Sequence, residues 1–197
     1  NEVFDGRRAH DRGYRPDDLA TPANPYGASK LAGEEAAAAA YRDRGANLAV
    51  VRTSWLFGPP GSDFPTKILA AAAAAGAERR PLKVVADEFG SPTFTHDVAE
   101  AVAAMLGAEV RRGVQHVVNA GIGSRADWAR ELFRQVGVDV TIEVMSLSDW
   151  PRPSTPPAWG VLEPTEIPGV EPLRPWQQAL ADYLPLLRRQ RTVTAAR

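Results

Sequence analysis

Tyr26 and Lys30 stand four residues apart in the run Asn24-Pro25-Tyr26-Gly27-Ala28-Ser29-Lys30-Leu31-Ala32-Gly33-Glu34-Glu35. Asn24 is of the type that caps a helix, and Pro25 suits a first turn, where its missing N–H would have no intrahelical partner. The run therefore predicts a helix that opens here and carries both side chains on one face. Gly27, Ala28 and Ser29 are small enough to let a planar group lie close to the backbone. A free phenol is a weak acid, with a pKa of about 10, and a fixed ammonium nearby favours its phenolate. Such a pair suits proton exchange with an oxygen on a substrate carbon. By spacing alone, a capped surface helix fits equally well.

Other chemistries find less to build on. His10, His96 and His116 lie far apart in the sequence and outside any metal-ligand spacing. There is no cysteine, hence neither a disulfide framework nor a thiolate metal site. No Gly-x-Ser-x-Gly elbow anchors a hydrolase triad. No Gly-x-G-x-x-G run follows a strand, and Gly121-Ile122-Gly123 reads as a turn. Trp55 stands out because it follows a buried apolar run by three residues, where sheets of this kind bind ligands. A core tryptophan is the competing reading.

The elements that must position these residues follow from the pattern. The Tyr26 helix runs to about Gly45, and Leu48-Ala49-Val50-Val51 reads as a strand buried on both faces. Helix followed by buried strand is the rhythm of a parallel α/β sheet. Residues 1–6 read as a strand end entering an Asp-Gly turn, and 7–23 as a surface loop. Phe64 to Ala75 reads as a helix, Leu82 to Val85 as a strand, and 87–93 as a loop. Thr95 is expected to cap a helix with Val98, Ala101, Val102 and Met105 on its buried stripe. Val114 to Val118 and Val140 to Val144 read as strands, with a helix capped by Ser124 and stopped by Gly137 between them. The proline-dense stretch 150–157 can continue neither a helix nor a central strand. Leu173, Trp176, Leu180 and Leu184 stripe a last helix, with a frayed tail from Arg188.

Composition narrows the class. With 197 residues, a formal net charge of −1, 44% hydrophobic and 24% charged residues, the chain has the balance of an ordinary globular protein. That balance points to no nucleic-acid partner, and no apolar run reaches the roughly 20 residues a membrane span needs. No signal-peptide pattern is visible, so a cytoplasmic location is expected. The chain opens at Asn1, without methionine, and is expected to be the later part of a longer protein.

Four blocks, read together, carry a resemblance. They are Val3-Phe4-Asp5-Gly6, the Asn24–Glu34 run, Arg52-Thr53-Ser54-Trp55-Leu56-Phe57-Gly58 and Asp87-Glu88-Phe89-Gly90-Ser91-Pro92-Thr93. In order and spacing they resemble the dTDP-4-dehydrorhamnose reductases of the extended short-chain dehydrogenase/reductases. The resemblance implies an α/β fold, a partial Rossmann-type parallel sheet with a smaller carboxyl-terminal α/β substrate-binding lobe. Residues 1–59 and 93–120 would belong to the incomplete dinucleotide-binding domain, and 60–92 with 121–187 to the lobe. The implied reaction is reduction of the C4 ketone of dTDP-4-dehydro-L-rhamnose with NADPH or NADH. Tyr26 would donate the proton; Lys30 would hold the nicotinamide ribose hydroxyls and make the tyrosine a better acid. Trp55 and Asn1 would touch the dTDP-sugar.

The departures are equally plain. The family's catalytic Ser or Thr would immediately precede Asn1, and its glycine-rich phosphate loop would lie further upstream. The isolated chain is therefore expected to be inactive, and its preference between NADPH and NADH is not legible. Trp159-Gly160 is atypical after the proline-arginine stretch, which leaves the sugar open. A regulatory relative resembling the methionine adenosyltransferase β-subunit, or an epimerase or dehydratase of the same superfamily, are the alternatives. Oligomeric state is open too, with a homodimer among the options.

Overall fold

The Asn24 side chain accepts a hydrogen bond from the Gly27 N–H at 2.8 Å in the computed structural model, satisfying one of the first-turn donors of α1 (Pro25–Asp43). The structure describes residues 1–8, 11–45, 47–59, 62–108 and 112–195, with side chains to 189. After α1 come β1 (Ala49–Arg52), β2 (Leu56–Phe57), α2 (Phe64–Ala77), β3 (Leu82–Val85), β4 (Phe89–Gly90) and β5 (Thr93–Phe94). Then follow α3 (Thr95–Gly107), β6 (Gly113–His116), β7 (Gly123–Ser124), α4 (Arg125–Val136), β8 (Ile142–Met145) and α5 (Trp176–Ala195). His10 lies outside the described residues.

Strands β1 and β6 pair in parallel, with Arg52 opposite His116, and β3 pairs in parallel with β8. Parallel neighbours need a long crossover, and helices supply it in each case. The short pairs β2–β5 (parallel) and β4–β7 (antiparallel) knit the loops between. This is a mixed α/β fold built on short parallel pairs. Among the described residues no helix is long and apolar enough to cross a membrane.

Among the described residues three hydrophobic clusters hold it. One gathers α2, β3, α4 and α5 around Trp128, Leu132, Leu180 and Tyr183. A second joins Val3, Phe4 and Tyr14 to Val118, Trp159, Val161 and Leu162. The third sets Ala101 and Met105 of α3 against Val117 and Ile167.

Several local expectations meet a tertiary correction. Residues 1–6 form a turn, not a strand end: the Phe4 N–H donates to the Asn1 carbonyl, and Gly6 takes φ +73°. Val3 and Phe4 are both buried, which the alternation of a one-sided strand would forbid. Residues 49–51 of β1 are half-buried and not buried on both faces, since among the described residues β6 is the only strand that pairs with it. Thr95 is the first helical residue of α3, not its cap. Its neighbour Phe94 donates its N–H to the buried Asn119 side chain at 2.8 Å, so a residue 25 positions away orders that helix start. The stretch 87–93, expected as a loop, contains β4 and the first residue of β5. Trp159 is a core residue whose Nε1–H donates to the Arg12 carbonyl at 2.9 Å, so packing accounts for it.

The capping prediction for α4 holds in full. Ser124 and Asp127 form a reciprocal capping box, and Gly137 closes the helix in the left-handed region at φ +72°.

His116 gives the fold a measurable pH dependence. The ring is buried, and its Nδ1 lies 3.0 Å from the Tyr14 carbonyl, which it bonds by donating its proton. Burial, and secondarily the Arg52 guanidinium, lowers its pKa from 6.5 to about 4. The folded ring stays neutral where the unfolded ring takes up a proton. Its contribution is therefore present above pH 6.5 and is lost as pH falls toward 4. The slope is about 1.4 kcal/mol per pH unit within that window. Urea midpoints should fall more steeply there for the wild type than for His116→Gln. Equal slopes would show that His116 is not held neutral.

Candidate functional site

The strand end at Arg52, the first turns of α1 and the amino end of α4 converge on one cleft of about 1170 Å³. Asn1, Tyr26, Lys30 and Trp55 all line it, so the fold brings together the four residues singled out from sequence. Tyr26 is 56% exposed, and the Lys30 ammonium stands 5.2 Å from the centre of its ring. Glu34, four residues further along α1, lines the same cleft and completes a stripe on one helix face.

Arg52 anchors that stripe. Its Nε lies 3.0 Å from Glu34 Oε1 and its Nη2 2.7 Å from Oε2, a bidentate pair whose arginine side chain is 8% exposed. The same guanidinium lies 5.3 Å from the Phe4 ring centre. The carbonyl of Glu2 packs so close to Gly27 that α1 could bear no side chain there, and Asn24 Nδ2 donates to Glu2 Oε2 at 2.9 Å. The Asn1 backbone nitrogen donates to the Thr53 carbonyl at 2.7 Å. Together these bonds set Asn1, Tyr26 and the end of β1 at fixed mutual positions.

Trp55 is both a cleft wall and a flank of the core. Its backbone takes φ +40°, a strained value for a bulky residue, and its carbonyl accepts from the Thr93 N–H at 3.2 Å. The indole stacks on Trp128 at 5.8 Å with an 8° interplanar angle, and a Cβ added at Gly90 would come within 2.5 Å of it. The Arg125 guanidinium lies 3.7 Å from its ring centre. His96 is exposed beside Phe94, with ring centroids 4.8 Å apart, and does not line the cleft.

Charge distinguishes this cleft. Among the described residues, seven Lys and Arg side chains line it against Glu2, Glu34 and Asp63. Five of the seven are ion-paired: Arg52 with Glu34, Arg80 with Glu78, Lys83 with Glu143, and Arg125 and Arg152 both with Glu88. The positive charge that remains in this low-dielectric concavity favours an anionic ligand. Sequence reasoning passed over Arg125, Arg152, Lys67 and Glu88. Arg125 directly follows the helix-capping Ser124, and a cation at a helix start runs against the dipole, which was the available signal.

Residues 1–189 match the family model described as RmlD substrate binding domain. The chain belongs to this family, that of the dTDP-4-dehydrorhamnose reductases.

Among its relatives, the dTDP-4-dehydrorhamnose reductase of Mycolicibacterium smegmatis is 40% identical over 176 residues, covering 87% of this chain and 51% of that protein. A crystal structure of a dTDP-4-dehydrorhamnose reductase from Clostridium acetobutylicum superposes with TM-score 0.85 at 31% identity, over 95% of this chain and 63% of that one. The Bacillus anthracis dTDP-4-dehydrorhamnose reductase, crystallised in complex with NADP, superposes with TM-score 0.77 at 28% identity, over 94% and 62%. These superpositions carry a Rossmann-like α/β fold. The chain spans about half to three-fifths of the length of the curated relatives it matches.

Proposed function

We propose that this chain is the carboxyl-terminal portion of a nucleotide-sugar 4-ketoreductase, acting on the C4 ketone of dTDP-4-dehydro-L-rhamnose to yield dTDP-L-rhamnose. The observation that carries the reading is the gathering of Tyr26, Lys30, Asn1 and Trp55 around one cationic cleft. The names of the similar reductases support it from outside the structure. A regulatory protein without catalysis would have no need of the exposed tyrosine and lysine together on one helix face.

The residues present fit part of a nicotinamide cofactor. Tyr26 and Lys30 are exposed, line the cleft and offer a hydroxyl and an ammonium, the donors that ribose hydroxyls accept from. Those two residues would hold NADPH or NADH, which when bound supplies the reducing hydride. The chain's own part is binding and the proton. Tyr26 O–H gives its proton to the C4 oxygen of the sugar as that oxygen gains charge, which leaves an alcohol. Lys30 reaches the ribose hydroxyls from the same helix face, its Nζ 5.2 Å from the centre of the Tyr26 ring. Trp55 offers a flat apolar face to the sugar nucleotide, Asn1 an amide for its hydroxyls, and the surrounding cations a field for its diphosphate.

The same reading divides the chain into residues 1–59 with 93–120, on the dinucleotide side, and 60–92 with 121–187, on the substrate side. A cytoplasmic location and a homodimer accompany it.

The test is direct. The full-length protein carrying this chain should oxidise NADPH or NADH when given dTDP-4-dehydro-L-rhamnose, with dTDP-L-rhamnose as product by chromatography. No oxidation above the substrate-free background with either cofactor overturns the proposal.

A further inference from the structure

Glu88 is a charged side chain with 1% exposure, and it serves two arginines at once. Its Oε1 accepts from Arg125 Nε at 3.0 Å and Nη2 at 2.8 Å, while its Oε2 stands 2.9 Å from Arg152 Nη2. The three residues come from distant parts of the chain: the loop before β4, the first turn of α4 and the proline-rich stretch after β8.

Burying such a group costs several kcal/mol unless its partners are well placed, so its retention calls for an explanation beyond stability. Arg125 also stands where the α4 dipole disfavours a cation. Its surroundings supply a reason. The guanidinium lies over Trp55 at 3.7 Å, with Phe64 at 5.3 Å and Trp128 at 5.9 Å, so it is the centre of an aromatic group. A guanidinium held by a carboxylate on its edge presents a flat face, and the indole lies on that face. Arg152 and Trp150 of the proline-rich stretch line the same cleft.

We propose that Glu88 is a positioning residue for substrate recognition: through Arg125 it fixes the Trp55 indole, and through Arg152 it fastens the proline-rich stretch to the same wall. The effect on substrate rests on the reading of Trp55 as a wall for the sugar nucleotide; the effect on the indole does not. Glu88→Gln keeps the size of the side chain, but its amide nitrogen can only donate. One of the two arginines, both also donors only, then faces an amide N–H in place of a carboxylate oxygen.

Two measurements on the full-length protein decide the matter. The first is near-ultraviolet circular dichroism, in which the band of the Trp55–Trp128 stack is defined as the signal that Trp55→Phe abolishes. Glu88→Gln should reduce this band, and so should Arg125→Lys, which keeps the cation but neither the two-donor edge nor the flat face. Full retention of the band in both variants overturns the proposal, whether or not the protein turns over the sugar. The second is steady-state kinetics. Glu88→Gln should raise KM for the dTDP-sugar on the order of tenfold, with kcat within about twofold, the size expected for loss of a desolvated cation–π contact. In a Trp55→Phe background the same change should move KM less than about twofold, since the two act as one unit. Equal KM effects in both backgrounds overturn action through Trp55. Should Glu88→Gln unfold, Arg125→Lys takes its place in both measurements. Absence of turnover in the wild type speaks against the ketoreductase reading alone, and the dichroism then decides the positioning role.

Discussion

Replacing Tyr26 by phenylalanine in the full-length protein is expected to lower kcat on the order of 10²- to 10⁴-fold, the range typical of a lost general acid. That loss corresponds to about 3–5 kcal/mol of transition-state stabilisation. The substitution removes one oxygen from a ring that is 56% exposed, so neither folding nor the shape of the cleft should change. KM for the dTDP-sugar should stay within a few-fold, because Trp55, Asn1 and the cations are untouched. Such a split, a large loss in kcat with little change in KM, marks a group that acts mainly in the transition state. A Tyr26→Phe enzyme within tenfold of wild-type kcat would remove the tyrosine from the proton path. The cleft would then need another donor within reach of the C4 oxygen.

The second large effect is on stability. Arg52→Ala should destabilise the protein by about 3–5 kcal/mol, the usual result of stripping one partner from a buried ion pair. Glu34, with a side chain 18% exposed, would keep its charge without the two-point partner it has at 2.7 and 3.0 Å. The contact of the guanidinium with Phe4 would go as well. The double variant Arg52→Ala/Glu34→Ala should lose clearly less than the sum of the two single changes, because no orphaned charge remains. Chemical denaturation of the four proteins measures this coupling. A single-variant loss below about 1 kcal/mol would reduce the pair to a surface ion pair and remove it as the anchor of α1.

These two outcomes are linked through one helix. Tyr26, Lys30 and Glu34 lie on the same face of α1, and Arg52 holds the last of them to the end of β1. Trp55 follows Arg52 by three residues. An arginine at a strand end thus relates Tyr26 to Trp55 across the cleft lining, and its loss should lower activity even in protein that remains folded.

Much of this was written locally. The Asn24 cap, the Pro25 start, the Ser124 box and the Gly137 stop are features of three or four consecutive residues, and each is found where its chemistry places it. Helix faces are equally local, because a period of 3.6 residues puts Tyr26 beside Lys30 without help from the rest of the chain. The sequence by itself therefore determined four cleft residues, the longer strands to within a few residues, and the helices. The exception is α5, which starts at Trp176, after Leu173, and stays helical to Ala195 where the sequence predicts a frayed tail from Arg188. Only tertiary structure decided the rest. Residues 1–6 turn because Val3 and Phe4 both enter a core shared with Trp159 and Leu162, far away in sequence. Phe94 is ordered by Asn119, Trp55 by Arg125, and Arg125 by Glu88, 37 residues before it. Pairings over such distances leave no periodicity to read. A buried carboxylate shared by two arginines exists only once the chain has brought a loop, a helix start and the proline-rich stretch together, and burial gives that meeting its energetic weight.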